Sequence, residues 1–396
     1  MNGKQRLLFL LHEIDVHVGG NRPWDLDVHD ERLYRRVART GLIGLGDAYV
    51  DGWWDCPSID CLFDRALRAD VPSQFRFQPI TMTRYLLERL LNRQNLWRSR
   101  ENIHRHYDIG NELYESMLDA RMTYSCGYWK HATTLNQAQE AKLDLVCKKL
   151  GLEPGMRVLD VGSGWGSFVK FAAEHYGCRV VGITLSSEQA EYSRRLCKLL
   201  PVEIRLQDYR EVDEHFDRIA SIGMLEHVGP KNYRAFMLMV RRCLGRDGLC
   251  LLHFLATKRS WPNLSDTEVL WLSRRIFPGG VFPSLAQIGH ALDGLLVTED
   301  LENFGSDYDR TLMAWHANFT RHWSSLKGGR YDERFYRMWT YYLLTCAGAT
   351  RSRKYQVWQM VLSPQGVPGG YQRPEDSRGE MSVTEMVGFP QTYSEA

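Results

Sequence analysis

The 396-residue chain has no long hydrophobic run. Its longest apolar stretches, such as residues 7–11 and 248–256, fall far short of the ~20 residues that a membrane-spanning helix needs. The N-terminal stretch follows Lys4 and Arg6, but it leads into His-Glu and contains no small-residue cleavage site. We therefore expect neither a transmembrane helix nor a secretion signal.

Cysteine pairs and an excess of charge of one sign are also missing. The nine cysteines form no Cys-x-x-Cys pair and do not alternate with histidine, so they offer neither a zinc site nor a disulfide framework. Scattered cysteines of odd number indicate free thiols in a reducing compartment. Lys and Arg number 50 against 48 Asp and Glu, so any attraction to phosphate must be local. The sequence predicts a cytoplasmic protein without a bound metal.

Short β-branched runs alternate with helical segments in the middle of the chain. This alternation predicts an α/β fold with a doubly wound, mostly parallel sheet that is covered on both faces. Ser186 and Gln189 have the spacing of a capping box that would start one of the helices. The predicted strands are 156–161, 179–184, 202–207, 217–222 and 248–255, and the predicted helices between them are 167–176, 186–200 and 232–244.

The length of the chain favours more than one domain. We expect a smaller N-terminal domain at 1–80, a basic amphipathic linker at 81–110 and a main domain at 111–362. Pro and Gly recur in residues 363–396, which are expected to form a disordered tail. Helices are predicted at 307–326 and 333–348, and the run 355–362 is expected to be an edge strand.

Six arginines between residues 84 and 105 are interleaved with leucines at near-helical spacing. Such a helix can lie on an anionic membrane surface. It can equally be a solvated face whose leucines pack on the core. No nucleic-acid recognition motif accompanies the arginines, so a nucleic-acid partner is not expected.

A glycine-rich loop, residues 160–166 (DVGSGWG), follows a predicted strand and opens a helix. Glycines let the backbone turn tightly and approach a ligand. The spacing G-x-G-x-G, with an acidic residue two before the first glycine, differs from the dinucleotide pattern and resembles the S-adenosylmethionine loop of class I methyltransferases. The second strand ends without a ribose-binding acid, so other polar residues must help to hold the ribose and adenine. The cofactor contacts predicted from this pattern are Asp160, Gly162, Gly164, Gly166, Thr184, Gln189, Asp208 and Tyr209.

Longer motifs carry a resemblance to one family. Together with the glycine loop they resemble the successive signatures of the cyclopropane fatty acid synthases, over about residues 41–362. Two places depart from that pattern: Ser163 stands where the family commonly has cysteine, and the stretch 258–275 is longer than usual, which leaves the acyl-chain path open. The motifs are 106–111 (HYDIGN), 123–129 (TYSCGYW), 207–210 (QDYR), 223–233 (GMLEHVGPKNY), 251–253 (LLH), 276–278 (IFP) and 303–309 (NFGSDYD).

The resemblance implies a class I methyltransferase fold and S-adenosylmethionine-dependent transfer of a methylene group to the cis double bond of an unsaturated phospholipid acyl chain. The ring would form through a methylated carbocation that a bound bicarbonate deprotonates. We further expect a homodimer that associates peripherally with the inner membrane face. By resemblance the catalytic residues are Cys126, Glu226, His253 and Tyr308, the backbone of Leu255 is a further bicarbonate contact, and Tyr124, Ser125 and Trp129 contact the cofactor.

Taken singly, these residues have ordinary explanations. Glu226 could be a helix-start charge, His253 a core histidine and Cys126 a buried thiol. Tyr308 could simply pack, and His227, which is next to Glu226, is interpreted as structural. Two other functions stay open on the same fold: an S-adenosylmethionine-dependent methyltransferase for an amine or other lipid-like acceptor, and a non-catalytic lipid-binding protein.

Overall fold

The computed structural model of the chain describes residues 3–71, 109–260 and 267–374. Residues 3–71 fold into four helices and one short antiparallel ribbon, and a two-helix segment then precedes the sheet. These elements are α1 (Gly3–Glu13), β1 (Asp27–Val28), α2 (Arg32–Thr40), α3 (Leu42–Val50), β2 (Trp54–Asp55), α4 (Ile59–Arg68), α5 (Asn111–Met117) and α6 (Leu135–Lys149).

The central part of the chain alternates strands with helices, as the sequence predicts. Its elements are β3 (Arg157–Val161), α7 (Ser167–Tyr176), β4 (Arg179–Thr184), α8 (Ser187–Leu196), β5 (Val202–Leu206), β6 (Phe216–Ile222), α9 (Leu225–Val228), α10 (Tyr233–Cys243) and β7 (Leu244–Thr257). The rest of the described chain adds α11 (Thr267–Arg275), α12 (Leu285–Leu292), β8 (Val297–Asn303), α13 (Gly305–Leu326), α14 (Glu333–Arg351) and β9 (Tyr355–Ser363).

Seven strands form one sheet in the order β5-β4-β3-β6-β7-β9-β8. The first five of these are parallel, and β9 runs antiparallel to both of its neighbours. The order changes direction beside β3, and ligands bind at the carboxyl ends of the strands at such a switch point. The predicted doubly wound, mostly parallel α/β sheet is confirmed.

The predicted edge strand was wrong. The strand observed at Tyr355–Ser363 lies inside the sheet, between β7 and β8, and most of its residues are buried. The edge is instead β8, with the sequence VTEDLEN, which sequence reasoning missed. Charged residues protect an edge strand from unwanted pairing, and they also hide the alternation of apolar residues by which a strand is recognised.

The predicted disordered tail begins too early. Residues 364–374 are described, and Tyr371 and Arg373 hold them against the end of α6 and against β8. The Tyr371 hydroxyl donates to the carbonyl of Lys149 at 2.9 Å, and Arg373 pairs with Asp300. Few large apolar residues are needed when polar anchors fix a segment. Residues 375–396 lie outside the described residues.

The four N-terminal helices do not form a core of their own. Their buried side chains belong to the same hydrophobic cluster as those of α13 and α14. Arg351 at the end of α14 joins the two groups, since it bonds both Asp60 on α4 and Asp309 on α13. The predicted boundary between residues 80 and 81 and the basic segment 84–105 lie outside the described residues. In the ranges that the structure describes, no helix has the length and apolar character needed to cross a bilayer.

Contact between α4 and α14 requires a glycine. A Cβ added to Gly348 would lie 2.4 Å from the carbonyl oxygen of Asp60 and 2.8 Å from Cβ of Phe63. We expect Gly348→Ala to lower the free energy of unfolding by about 1–3 kcal/mol, because the two helices must move apart. Gly289→Ala is the control, since Gly289 is an exposed helical glycine with nothing within 4 Å of an added Cβ. It should be neutral or stabilising in urea denaturation. Equal effects of the two substitutions would contradict the packing argument.

Candidate active site

The glycine loop connects β3 to α7 at the carboxyl edge of the sheet. Gly162 and Gly164 have φ values of +89° and +54°, a region that residues with a Cβ rarely adopt. A Cβ on Gly164 would meet nothing within 4 Å, so the backbone there borders open space. The loop can therefore approach a ligand closely.

A cleft of about 930 Å³, including its mouth, opens beside this loop, and we refer to it as the glycine-loop cleft. Polar residues from the ends of β4 and β5 line one part of it, where Thr184 donates to Oε1 of Gln189 at 3.0 Å. This contact draws the Gln189 side chain away from the predicted capping box. Only one bond of that box forms, from the backbone N–H of Gln189 to Ser186 Oγ. Eight of the predicted cofactor residues line this cleft: Tyr124, Ser125, Asp160, Gly162, Gly164, Thr184, Gln189 and Tyr209.

Three predicted cofactor residues do not line the cleft. The indole Nε1 of Trp129 donates to Thr311 Oγ1 at 2.8 Å, which ties it to α13. The Asp208 carboxylate is buried and accepts from the backbone and the guanidinium of Arg210. Gly166 packs against α8, where an added Cβ would lie 3.0 Å from Ser193 Oγ. These residues support the walls of the cleft from behind and are not part of its lining.

A buried lysine in the wall was not predicted. Lys142 on α6 is fully buried, and its Nζ donates to Ser125 Oγ at 2.8 Å. Burial lowers the pKa of Lys142 to about 8. Its position among Ala138, Leu143 and Val146 on the apolar stripe of α6 was the sequence signal, because a lysine is rarely fully buried without a partner.

Asp160, at the end of β3, lines the same cleft and carries the charge opposite to that of Lys142. Its side chain is buried and Oδ1 has no hydrogen-bond partner. Burial raises the pKa of Asp160 to about 7, although the charge of Lys142 opposes this shift. The orphaned oxygen can accept a hydrogen bond from a cationic ligand group.

A second cleft of about 850 Å³ contains the other predicted set, and we refer to it as the Glu226 cleft. Most of its remaining wall is apolar, with Leu272, Phe277 and Phe282 among its lining residues. The structure brings the residues of this set together: Cys126, Glu226, His253, Leu255 and Tyr308 all line the cleft.

Glu226 is fixed by one hydrogen bond. The backbone N–H of Leu255 on β7 donates to Oε1 of Glu226 at 2.7 Å, while Oε2 is buried without a partner. Burial raises the pKa of Glu226 to about 7. The Leu255 N–H is thus engaged by the carboxyl group, which keeps one oxygen available to a ligand.

Cys126 and His253 in the Glu226 cleft are neutral. Burial lowers the pKa of His253 well below its usual value and raises the pKa of the Cys126 thiol well above its usual value. Gln359 on the adjacent strand β9 lies with Nε2 3.2 Å from Nδ1 of His253, and sequence reasoning missed this contact because it depends on the pairing of β7 with β9. A ligand in this cleft therefore meets hydrogen-bonding groups and no cationic side chain among its lining residues.

The two clefts share part of their walls. Tyr124, Ser125, Gly223 and His227 line both of them. Burial lowers the pKa of His227 to about 4, so this residue is also neutral, and its place between the clefts was not predicted. Two ligands bound in the two clefts would meet at this shared wall.

Ligand binding in the glycine-loop cleft should depend on Gly164. We expect Gly164→Val to weaken S-adenosylmethionine binding by about 100-fold or more, equivalent to about 3 kcal/mol, because its side chain would project into the cleft. Gly155→Val is the matched control, since Gly155 also has positive φ (+85°) and open space around it but does not line the cleft. It should keep its affinity in calorimetry. Unchanged affinity in a folded Gly164→Val protein would contradict the assignment.

The comparisons with known proteins agree with this geometry. Residues 94–360 match the family model described as mycolic acid cyclopropane synthetase. The chain is 44% identical over 361 residues to a cyclopropane-fatty-acyl-phospholipid synthase of Escherichia coli strain K12, which covers 91% of this chain and 93% of that protein. It is 30% identical over 353 residues to sphingolipid C9-methyltransferase A of Emericella nidulans, which covers 84% of this chain and 67% of that protein.

A solved structure is similar over two thirds of the chain. The mycolic acid cyclopropane synthase CmaA1, complexed with SAH and CTAB, superposes with a TM-score of 0.63 at 33% identity, covering 67% of this chain and 98% of that one. The predicted class I methyltransferase fold and the dependence on S-adenosylmethionine are confirmed. The chain therefore belongs to the cyclopropane synthetase family and is an enzyme of the methyltransferase class.

Proposed function

We propose that this enzyme transfers a methylene group from S-adenosylmethionine to the cis double bond of an unsaturated phospholipid acyl chain and closes a cyclopropane ring. One observation carries the proposal: four side chains able to handle a proton or bind an anion meet in a largely apolar cleft that shares a wall with the glycine-loop cleft. The activity named for the Escherichia coli relative supports the same assignment.

The glycine-loop cleft fits the cofactor. Its buried Asp160, with an oxygen that lacks a partner, suits the ammonium of the methionine part. Polar Thr184, Gln189 and Gln207 suit the ribose and adenine. When bound, S-adenosylmethionine supplies an electrophilic methyl group.

An alkene is a weak nucleophile, so this chain must act first by positioning. The wall shared at Tyr124, Ser125 and Gly223 would hold the double bond against the methyl donor, and such alignment can supply much of the rate. The π electrons form the bond to the methyl carbon as the carbon–sulfur bond breaks, which leaves a positive charge on the neighbouring alkene carbon. Phe277 and Phe282 exclude water from that charge, and the ring of Tyr308 can stabilise it.

Ring closure needs loss of a proton from the new methyl group, and its electron pair forms the last ring bond. We propose bicarbonate as the base, because the Glu226 cleft suits a small anion: the neutral Cys126 and His253 and the hydroxyl of Tyr308 can donate hydrogen bonds, as can Glu226 when protonated. Held by neutral donors rather than by a cation, such an anion keeps its basicity. Leu255 would contribute by fixing Glu226.

The proposed substrate also bears on the cellular location of the enzyme. An acyl chain of a membrane phospholipid can be reached only from the bilayer surface, so we propose a cytoplasmic enzyme that associates peripherally with the inner membrane face. The homodimer stays a prediction. The basic segment 84–105, the predicted membrane contact, lies outside the described residues.

Product analysis tests the function. The purified enzyme is incubated with vesicles of cis-unsaturated phospholipid and methyl-labelled S-adenosylmethionine, and the lipid is examined by NMR and mild hydrogenation, because mass does not separate a ring from a methyl branch. We expect shielded ring protons and a chain that resists hydrogenation. A methyl-branched chain that takes up hydrogen would contradict ring closure, and the name of the Emericella relative makes carbon methylation the relevant rival. Label found only on a headgroup amine would exclude the acyl acceptor.

Glu226→Gln should separate chemistry from binding. We expect a ~10²–10³-fold loss of turnover, because the amide keeps the shape of the carboxyl group but can neither ionise nor exchange a proton with the bound anion. S-adenosylmethionine affinity should stay unchanged, because Glu226 does not line the glycine-loop cleft. Retained turnover would show that Glu226 only starts a helix.

The stability of the ligand-free Glu226→Gln variant should also depend on pH differently from that of the wild type. Because folding raises the pKa of Glu226 from 4.5 to about 7, the wild type loses stability as pH rises between these values, by roughly 3 kcal/mol in total. The amide introduced by Glu226→Gln does not titrate in this range. The difference in melting temperature, variant minus wild type, should therefore increase from pH 4.5 to 7 and stay constant above pH 7. A difference independent of pH would contradict the assigned pKa.

A further inference from the structure

Lys142 is a buried cation that lacks an ion-pair partner within the described residues. The side chain is fully buried, and the structure gives its Nζ one hydrogen bond, to Ser125 Oγ. An ammonium can donate three, so two N–H groups remain for other partners. Burying such a charge without compensation is costly. A ligand that supplies negative charge would remove this cost.

The nearest acidic neighbours do not fill that role. The Asp119 carboxylate already accepts from the backbone of Arg121 and from both the backbone and hydroxyl of Thr123. Asp160 attracts Lys142 through space, but its Oδ1 has no hydrogen-bond partner. Two opposite charges thus line one cleft, and each has unused hydrogen-bonding capacity.

A complementary ligand for this pair of charges is an amino-acid zwitterion. We propose that Lys142, together with Ser125, binds the α-carboxylate of the methionine part of S-adenosylmethionine, opposite Asp160 and the α-ammonium. Ser125 lines both clefts, so this anchor lies at the shared wall where the reacting methyl group must be presented. The inference rests on the cofactor alone and not on the acyl acceptor or the base.

Two other roles for Lys142 make different predictions. It could serve the anion of the base site, since its charge also reaches Cys126 and His253. However, Lys142 lines the glycine-loop cleft and is not among the lining residues of the Glu226 cleft. It could also merely hold the loop, but Gln139 already fixes Ser125 by donating to its carbonyl at 2.8 Å.

Calorimetry with two ligands tests the proposal. S-adenosylmethionine is compared with decarboxylated S-adenosylmethionine, which lacks only the carboxylate. We expect the wild type to prefer the intact cofactor by about 10- to 100-fold, the range for charge-assisted hydrogen bonds. Lys142→Met, of similar length but neutral, should lose this preference by weakening only the intact cofactor. Equal affinities in the wild type would overturn the proposal without any variant.

Lys149→Met is the matched control. Lys149 is a second fully buried lysine on α6, but it pairs with Glu302 at 2.5 Å and lines neither cleft. Its replacement should lower the melting temperature and leave the ligand preference intact. If Lys142→Met weakened both ligands equally, its role would be structural. If it left the preference intact and changed only the bicarbonate dependence of turnover, Lys142 would belong to the base site, and either result overturns the proposal.

Discussion

Five parallel strands end at the same edge of the sheet, and both clefts are lined by residues at or just beyond those ends. The residues that follow β3, β4, β5 and β6 line the glycine-loop cleft, because parallel strands deliver their carboxyl ends to one side. Strand β7 lies next to β6 and brings His253 and Leu255 to Glu226. Residues that are far apart in the chain therefore meet at one edge of the sheet.

The chemistry proposed for the Glu226 cleft is obtained at a cost to stability. A carboxyl group whose pKa is raised to about 7 by burial destabilises the fold when it ionises. The surrounding apolar core and the paired strands offset this cost, as is common where a site requires unfavourable groups. The same burial that makes an ionised Glu226 unfavourable would keep water from the proposed cationic intermediate, so under this proposal stability and function oppose each other at one residue.

The two clefts differ in charge although they share a wall. The glycine-loop cleft contains the buried charges of Lys142 and Asp160, whereas burial keeps the thiol and the imidazole of the Glu226 cleft neutral. A zwitterionic ligand end suits the first and an acyl chain suits the second. The shared residues Tyr124, Ser125 and Gly223 separate these two environments. This division would allow the charged donor and the apolar acceptor of the proposed reaction to approach each other in one protein interior.

The amino-acid sequence by itself determined the alternating strands and helices and the glycine turn, because these are local patterns. The residues of the Glu226 cleft were predicted only through the family resemblance of their longer motifs. Tertiary structure decided the rest. It placed Tyr355–Ser363 inside the sheet, since strand order depends on pairing and not on composition. It also turned Trp129 to Thr311 and Lys142 to Ser125, partners that come from other elements. Sequence specifies which face of an element a side chain occupies, whereas long-range packing alone decides which buried polar groups lie within hydrogen-bonding distance.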